Sequence, residues 1–123
     1  MKKQNQALKD FSLLTDHDIY LFKEGSHFRL YDKLGAHLVE VDGVKGTFFA
    51  VWAPNAQAVS VVGSFNGWSD DAGAMAPRGN SGVWEVFVPG VTDGDTYKYA
   101  ILPHHGARLL KADPMGFGSQ HPP

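Results

Sequence analysis

The sequence predicts a small all-β sandwich, and three observations predict it. Short runs with apolar alternation recur along most of the chain, turn residues interrupt them every roughly 8 to 12 residues, and helical punctuation occurs only once. The 123 residues fit one domain, because a single hydrophobic core organises about 100 to 200 residues. An apolar fraction of 43% with 12% aromatics is globular composition, far from the low-hydropathy, high-charge signature of disorder.

Taken in order, residues 1–14 read as a flexible lead-in, since the stretch from Met1 to Ser12 is mostly polar and offers little surface to bury. Thr15 followed by Asp18 has the spacing of a capping box, and Ile19, Leu21 and Phe22 run on to Gly25, which predicts one short helix over Asp16 to Glu24. From His37 the period becomes two. Leu38, Val39 and Val41 lead into the hairpin turn Asp42-Gly43, and Thr47 to Trp52 returns as a strand. Pro54 breaks that strand, Val59 to Val62 forms the next, and the glycine-rich stretch Gly63 to Gly82 is expected as a long surface loop. Val83 to Val88 alternates, with Trp84, Val86 and Val88 on one face and Glu85 and Phe87 on the other. After Asp93-Gly94 comes Thr96 to Leu102, with Tyr97, Tyr99 and Ile101 inward and Lys98 outward; Arg108 to Lys111 is a last short strand.

Charge and composition exclude several functions. A formal charge of −2 with scattered basic residues supplies no field for phosphates, so neither nucleic acid nor an anionic membrane is an expected partner. No run reaches the roughly 18 to 20 apolar residues of a membrane span and the N-terminus lacks a signal-like apolar segment, so the expected location is the cytoplasm. With no cysteine, the fold cannot rely on disulfides. Stability must come from packing.

Catalytic chemistry finds no complete set of residues. Asp70 and Asp71 are adjacent carboxylates, whereas a glycosidase needs a pair held about 5 to 9 Å apart across a sugar; they read as solvated loop acids. His104, His105 and His121 lack spaced partners, so no metal site is expected. No serine lies in a nucleophile-elbow frame, and Gly63 to Gly67 lacks the Gly-Lys-Ser/Thr that grips phosphates. No cofactor is expected.

The tryptophans divide by setting. Trp52 sits mid-pattern beside Phe48 and Ala50 and is expected in the core; Trp84 alternates with Val86 and Val88, which favours the core, with sugar contact as the other reading. Trp68 lies in a glycine-rich segment just after a strand, where burial is hard to arrange. Either its indole is partly exposed as a flat platform for the C–H faces of a sugar, with Asn66 and Lys98 as hydrogen-bonding neighbours, or it folds back to plug the end of the sandwich.

Gly46-Thr-Phe-Phe-Ala-Val-Trp-Ala-Pro-Asn55 followed by Val59-Ser-Val-Val-Gly-Ser-Phe-Asn-Gly-Trp68 resembles the starch- and glycogen-binding carbohydrate-binding module that precedes the barrel in many α-amylase-superfamily enzymes. Tyr31-Asp-Lys-Leu-Gly-Ala-His37, Ser81 to Gly90, Tyr97-Lys-Tyr99 and Leu110-Lys-Ala-Asp-Pro114 narrow the resemblance to bacterial 1,4-α-glucan (glycogen) branching enzymes. It implies an immunoglobulin-like (early-set) β-sandwich of about seven strands over residues 15–118, with residues 119–123 starting a linker to a catalytic (β/α)₈ barrel that lies outside this chain. It also implies α-1,4-glucan and that barrel as partners, and no transferase activity in this chain alone. By the same resemblance Trp68 matches the stacking aromatic and Lys98 the lysine that contacts sugar hydroxyls, Asn66 is carried over as a loop residue, and Trp84 is a further carbohydrate-binding candidate. Strong glycogen binders place a second aromatic where this sequence has Leu109 and Leu110, so weak binding is implied.

Overall fold

The computed structural model describes residues 12–25 and 33–113. The first eleven residues of the lead-in, Tyr31 and Asp32, the end of the module after Asp113, the linker at 119–123 and His121 lie outside the described residues. Among the described residues, one α-helix, α1 (Asp16–Lys23), precedes seven strands: β1 (Gly35–Val41), β2 (Val44–Trp52), β3 (Ala56–Gly63), β4 (Ala76–Pro77), β5 (Val83–Pro89), β6 (Tyr97–Pro103) and β7 (Leu109–Lys111).

The capping box forms as the spacing requires. The Thr15 hydroxyl accepts from the Asp18 N–H at 3.0 Å and the Asp18 carboxylate accepts from the Thr15 N–H at 2.9 Å, satisfying two donors that α1 cannot pair internally. Gly25, at φ 77°, ends the helix. Asp42 and Gly43, both at positive φ, make the tight β1–β2 turn and set a register that pairs Val41 with Val44 and Gly35 with Ala50.

The strands form two antiparallel sheets, a first in the order β1-β2-β5-β4 and a second in the order β3-β6-β7. That is the arrangement of an immunoglobulin-like sandwich, and it agrees with the expected fold. Phe49, Val51, Val86 and Val88 from the first sheet meet Val59, Val61 and Tyr99 from the second in one core. Thr47 is buried there and donates its hydroxyl to the Val91 carbonyl at 2.7 Å, so its polar atom costs little.

Part of the stretch Gly63 to Gly82 is regular, unlike the long loop expected. The Gly73 carbonyl accepts from Val61 N–H, the Met75 N–H donates to the Val59 carbonyl, and β4, starting at the next residue, pairs with β5 in the other sheet. The segment 73–77 therefore sews the two sheets together along one edge. A Cβ on Gly73 would lie 1.9 Å from the Val61 carbonyl oxygen, so this approach needs glycine. A five-residue crossing between sheets leaves too little alternation to be visible in the sequence.

Trp52 is corrected from core to rim. Alternation puts it on the same face as Phe48 and Ala50, but it is the last residue of β2 and is 48% exposed, with Phe22 packed edge-to-face with its ring at 6.0 Å. Periodicity assigns a face and says nothing of depth along the strand. Leu13 and Leu14 are corrected in the opposite direction. Leu14, in the expected lead-in, is 3% exposed and packs with Leu34, Phe48, Ala50, Val83 and Phe87 in a second core on the outer face of the first sheet, where Leu13, Ile19 and Phe22 join it.

A polar clamp holds that N-terminal segment. Glu85, on the same face of β5 as Phe87, is 3% exposed and accepts from the Ser12 hydroxyl at 2.6 Å. Arg78 donates to the Ser12 hydroxyl at 2.9 Å and the Leu14 carbonyl at 2.8 Å, reaches Glu85 at 3.4 Å, and pairs with Asp16 at 2.9 Å. Burial raises the Glu85 pKa above the usual 4.5, and the bonds from Ser12 and Arg78 only partly offset it.

Two outcomes follow. Leu14→Ala should destabilise the domain by about 2 to 5 kcal/mol in urea unfolding, the range for emptying a closed leucine site, whereas a flexible lead-in would give no change. Glu85 binds its proton more tightly folded than unfolded, so its contribution to stability is complete below pH 4.5 and is lost as pH rises through the raised folded value. Unfolding free energies of wild type and Glu85→Gln, measured from pH 4.5 to neutrality, should diverge in slope, the wild type losing stability relative to the variant; parallel curves would remove this account.

Candidate functional site

With the outer face of the first sheet covered by α1, the outer face of the second remains. Its outward positions are Ala58, Ser60 and Val62 on β3, Lys98, Ala100 and Leu102 on β6, and Leu110 on β7, as the register pairs Val62 with Lys98 and Ala100 with both Ser60 and Leu110. Ser60, Val62 and Ala100 are nonetheless buried, while Lys98 is exposed and Leu102 and Leu110 are 39% and 49% exposed. The loop after β3 covers this end.

That loop is built by Asn66. A 3-10 turn, Ser64–Asn66, follows Gly63, and the Asn66 side chain accepts from the Gly63 N–H at 3.1 Å while donating to the Val61 carbonyl at 3.0 Å. Both ends of the amide serve the loop's own backbone, which makes Asn66 a shaping residue. Gly67 and Trp68 then stand at φ 65° and 61°, and the Trp68 N–H donates to the Gly63 carbonyl at 2.9 Å. A tryptophan in the left-handed region costs roughly 1 kcal/mol or more, and such strain persists only where the surroundings enforce it. Here it turns the indole outward: Trp68 is 43% exposed.

Trp68 is therefore no plug. Phe65 takes that role, stacked on Phe49 at 6.3 Å and packed against the main core. Lys98 stands next to Tyr97, the cross-strand partner of Gly63, and so at the same end of the sheet as the carbonyl that anchors Trp68. Tyr99 is 1% exposed and Tyr97 half-buried, as the inward pair flanking Lys98. Trp84 is not brought to this face. It lies on the inner side of the other sheet, half-buried against the main core, and its indole N–H is spent on the Ala53 carbonyl at 3.1 Å.

Sequence reasoning missed the brace on the Trp68 loop. Asp70, read as a solvated acid, accepts two bonds from the Arg108 guanidinium, from Nε at 2.9 Å and Nη2 at 2.7 Å, across 38 residues of sequence. The Arg108 bonds hold the Asp70 carboxyl below its ordinary pKa. Nothing local to either residue signals the pairing, because it depends on β7 returning beside β6. Both partners are well exposed, so the pair adds little global stability, and its geometric effect is to tie the loop carrying Trp68 to the start of β7. Arg108→Ala should leave the midpoint of thermal unfolding nearly unchanged while broadening or shifting the NMR signals of the Trp68 indole and its neighbours; unchanged loop signals would show that the brace does nothing.

The outer face of the second sheet thus carries Lys98, Leu102 and Leu110, and the exposed Trp68 ring follows the end of β3 that pairs beside Lys98. Among the described residues, no helix is long and apolar enough to cross a membrane.

The sequence model of the family Carbohydrate-binding module 48 (Isoamylase N-terminal domain) matches residues 33–116. The chain is 56% identical over 112 residues to the 1,4-alpha-glucan branching enzyme GlgB of Roseobacter denitrificans, covering 90% of this chain and 15% of that protein. With the GlgB protein of Thermosynechococcus vestitus it shares 58% identity over 104 residues, 85% of this chain and 13% of that one, and with that of Aromatoleum aromaticum 57% over 118 residues, 95% and 18%. It thus spans less than a fifth of the curated relatives it matches. Among solved structures, the catalytic module of the multi-modular glycogen-degrading pneumococcal virulence factor SpuA is similar over 70% of this chain and 14% of that one, with 32% identity and a TM-score of 0.50.

Proposed function

The chain belongs to the carbohydrate-binding module 48 family, and from that premise we propose that it is the non-catalytic N-terminal accessory module of a cytoplasmic 1,4-α-glucan branching enzyme. In this reading it holds α-1,4-glucan near a downstream barrel that cuts the polymer and rejoins it through α-1,6 branches. The observation that carries the glucan role is the Trp68 indole, 43% exposed on a strained backbone beside the end of β6 that presents Lys98.

The chemistry of contact is simple. Glucose rings of an α-1,4 chain stack their C–H faces on the indole, and the Lys98 ammonium donates to ring hydroxyls. Leu110 shares the outer face with Lys98 and contributes apolar area without the quadrupole of a second aromatic. One stacking ring is worth on the order of 1 kcal/mol beyond its buried area, so affinity for a short oligosaccharide is on the order of millimolar. Weak contact suffices when module and active site share one polypeptide, because tethering makes the second encounter intramolecular. Asn66 supports the site by shaping the loop, and Trp84 is left out of it.

An NMR titration of the chain with maltoheptaose tests the reading. Shifts should centre on the Trp68 indole and the Lys98 amide and side chain, and Trp68→Ala should weaken binding by roughly five- to tenfold with the amide spectrum otherwise retained. Absence of shifts at tens of millimolar ligand, or undiminished binding by Trp68→Ala, would overturn the assignment of this face.

A further inference from the structure

Asn66 is followed by Gly67, whereas Asn5, Asn55 and Asn80 are followed by Gln6, Ala56 and Ser81. The difference is chemical. The backbone nitrogen of the next residue attacks an asparagine side chain most readily where that residue is glycine, because no Cβ shields the nitrogen or restricts the backbone that must turn. Gly67 is exposed, and a Cβ built on it would meet no heavy atom within 4 Å, so this peptide is open to water.

The closed loop opposes that reaction in two ways. Ring closure must bring the Asn66 side-chain carbon against the Gly67 nitrogen, but the amide is turned back along the chain. Its Oδ1 accepts from the Gly63 N–H at 3.1 Å and its Nδ2 donates to the Val61 carbonyl at 3.0 Å. A five-membered ring also needs the Asn66 Cβ and the Gly67 nitrogen nearly eclipsed about the Cα–C bond. Asn66 ends the 3-10 turn Ser64–Asn66, and a ψ of roughly −20 to −30° in such a turn holds those atoms far from eclipsed.

We propose that Asn66-Gly67 is a self-modification site on the Trp68 loop, silent while the loop is closed and consumed only when it opens. The Gly67 nitrogen bonds to the Asn66 side-chain carbon, its proton leaves with the NH2 group as ammonia, and a cyclic imide forms. Water then opens the imide at either carbonyl, leaving aspartate or isoaspartate at 66. The net change is uptake of water and loss of ammonia, with no other reactant.

The bonds that position Trp68 also keep the loop closed: Trp68 N–H to the Gly63 carbonyl at 2.9 Å, Val61 N–H to the Gly73 carbonyl at 2.9 Å, and the two from Arg108 to Asp70. The rate at Asn66 therefore follows the population of open loop. An ionised aspartate accepts and cannot donate, so at 66 it would set a carboxylate oxygen against the Val61 carbonyl with no proton between them. Isoaspartate would add a backbone carbon just before Gly67. Either product undoes the turn that holds Trp68 outward. The consequence for glucan rests on the reading of Trp68 as the sugar contact; the chemistry at Asn66 does not.

The test incubates the chain at mildly alkaline pH, well below its thermal midpoint, as folded wild type, as folded Arg108→Ala and as wild type unfolded in urea. Peptide mapping by mass spectrometry follows replacement of NH2 by OH at Asn55, Asn66 and Asn80. In urea Asn66 should react first. Folding should slow it by about tenfold or more, since both amide hydrogen bonds must open, and Arg108→Ala should restore about 1.5- to 5-fold of that loss. Equal rates at Asn66 in folded and unfolded wild type, equal rates in folded wild type and Arg108→Ala, or earlier reaction at Asn55 or Asn80 in urea would each overturn the proposal. Asn66→Asp reads the consequence separately: its maltoheptaose titration should weaken, and an unchanged one would overturn the effect on glucan and leave the modification site standing. Absence of a Trp68-centred titration in the unmodified chain would overturn the glucan assignment alone.

Discussion

The β2–β5 pair has to be buried on both faces, and the rest of the molecule is arranged around that requirement. Phe49, Val51, Val86 and Val88 point into the sandwich while Phe48, Ala50, Val83 and Phe87 point away from it, and all of these are buried. An antiparallel sheet ordinarily leaves one face to water. Here, leaving Phe48 and Phe87 exposed would forfeit about 1.5 to 3 kcal/mol for each. The segment from Ser12 through α1 supplies the cover, and because it joins no sheet, side chains must hold it. Arg78 and Glu85 do so through Ser12, the Leu14 carbonyl and Asp16. A buried carboxylate with a raised pKa is the cost of fastening a helix to a sheet in this way.

That cover decides where a ligand can be met. With the first sheet enclosed, the second sheet holds the free outer surface, and the segment between β3 and β5 serves it twice. Its first part, shaped by Asn66 and braced by Asp70 to Arg108, presents Trp68; its last part, from Gly73 to Pro77, crosses to the other sheet and closes the sandwich edge. Fixing both ends of the loop, at Gly63 and at Gly73, lets a bulky residue be held at positive φ between them.

The strands, their alternation, the Asp42-Gly43 turn and the Thr15–Asp18 cap were legible in the sequence because each is a local pattern. So was the exposure of Lys98 between Tyr97 and Tyr99. What was not legible depends on distance in the chain. The leucines at 13 and 14 sit in a polar stretch and look dispensable until Phe48 and Phe87 are seen to need a lid. Asp70 looks solvated until Arg108 arrives from 38 residues away. Trp84 faces the core as its alternation favoured, whereas Trp52 was misjudged, because alternation tells which side of a sheet a residue faces while the sheet's end decides how deep it lies. Trp52 ends its strand and is half exposed; Trp84 pairs with Val51 within a central strand pair and is drawn against the core, with the Ala53 carbonyl taking its N–H.

Two tryptophans with nearly the same exposure, Trp52 at 48% and Trp68 at 43%, thus carry different meanings. Trp52 ends a regular strand, where the exposure of its ring costs no backbone strain, and Phe22 covers part of it. Trp68 is held outward by a left-handed backbone, a dedicated asparagine and an ion pair tying down its loop, all of which oppose the tendency of an indole to fold onto nearby apolar surface. Exposure that the structure maintains against a cost is suited to a ligand that comes and goes, since the ring is already in place when the sugar arrives. Local strain, more than accessible area, separates a binding platform from the exposed end of a strand in this fold.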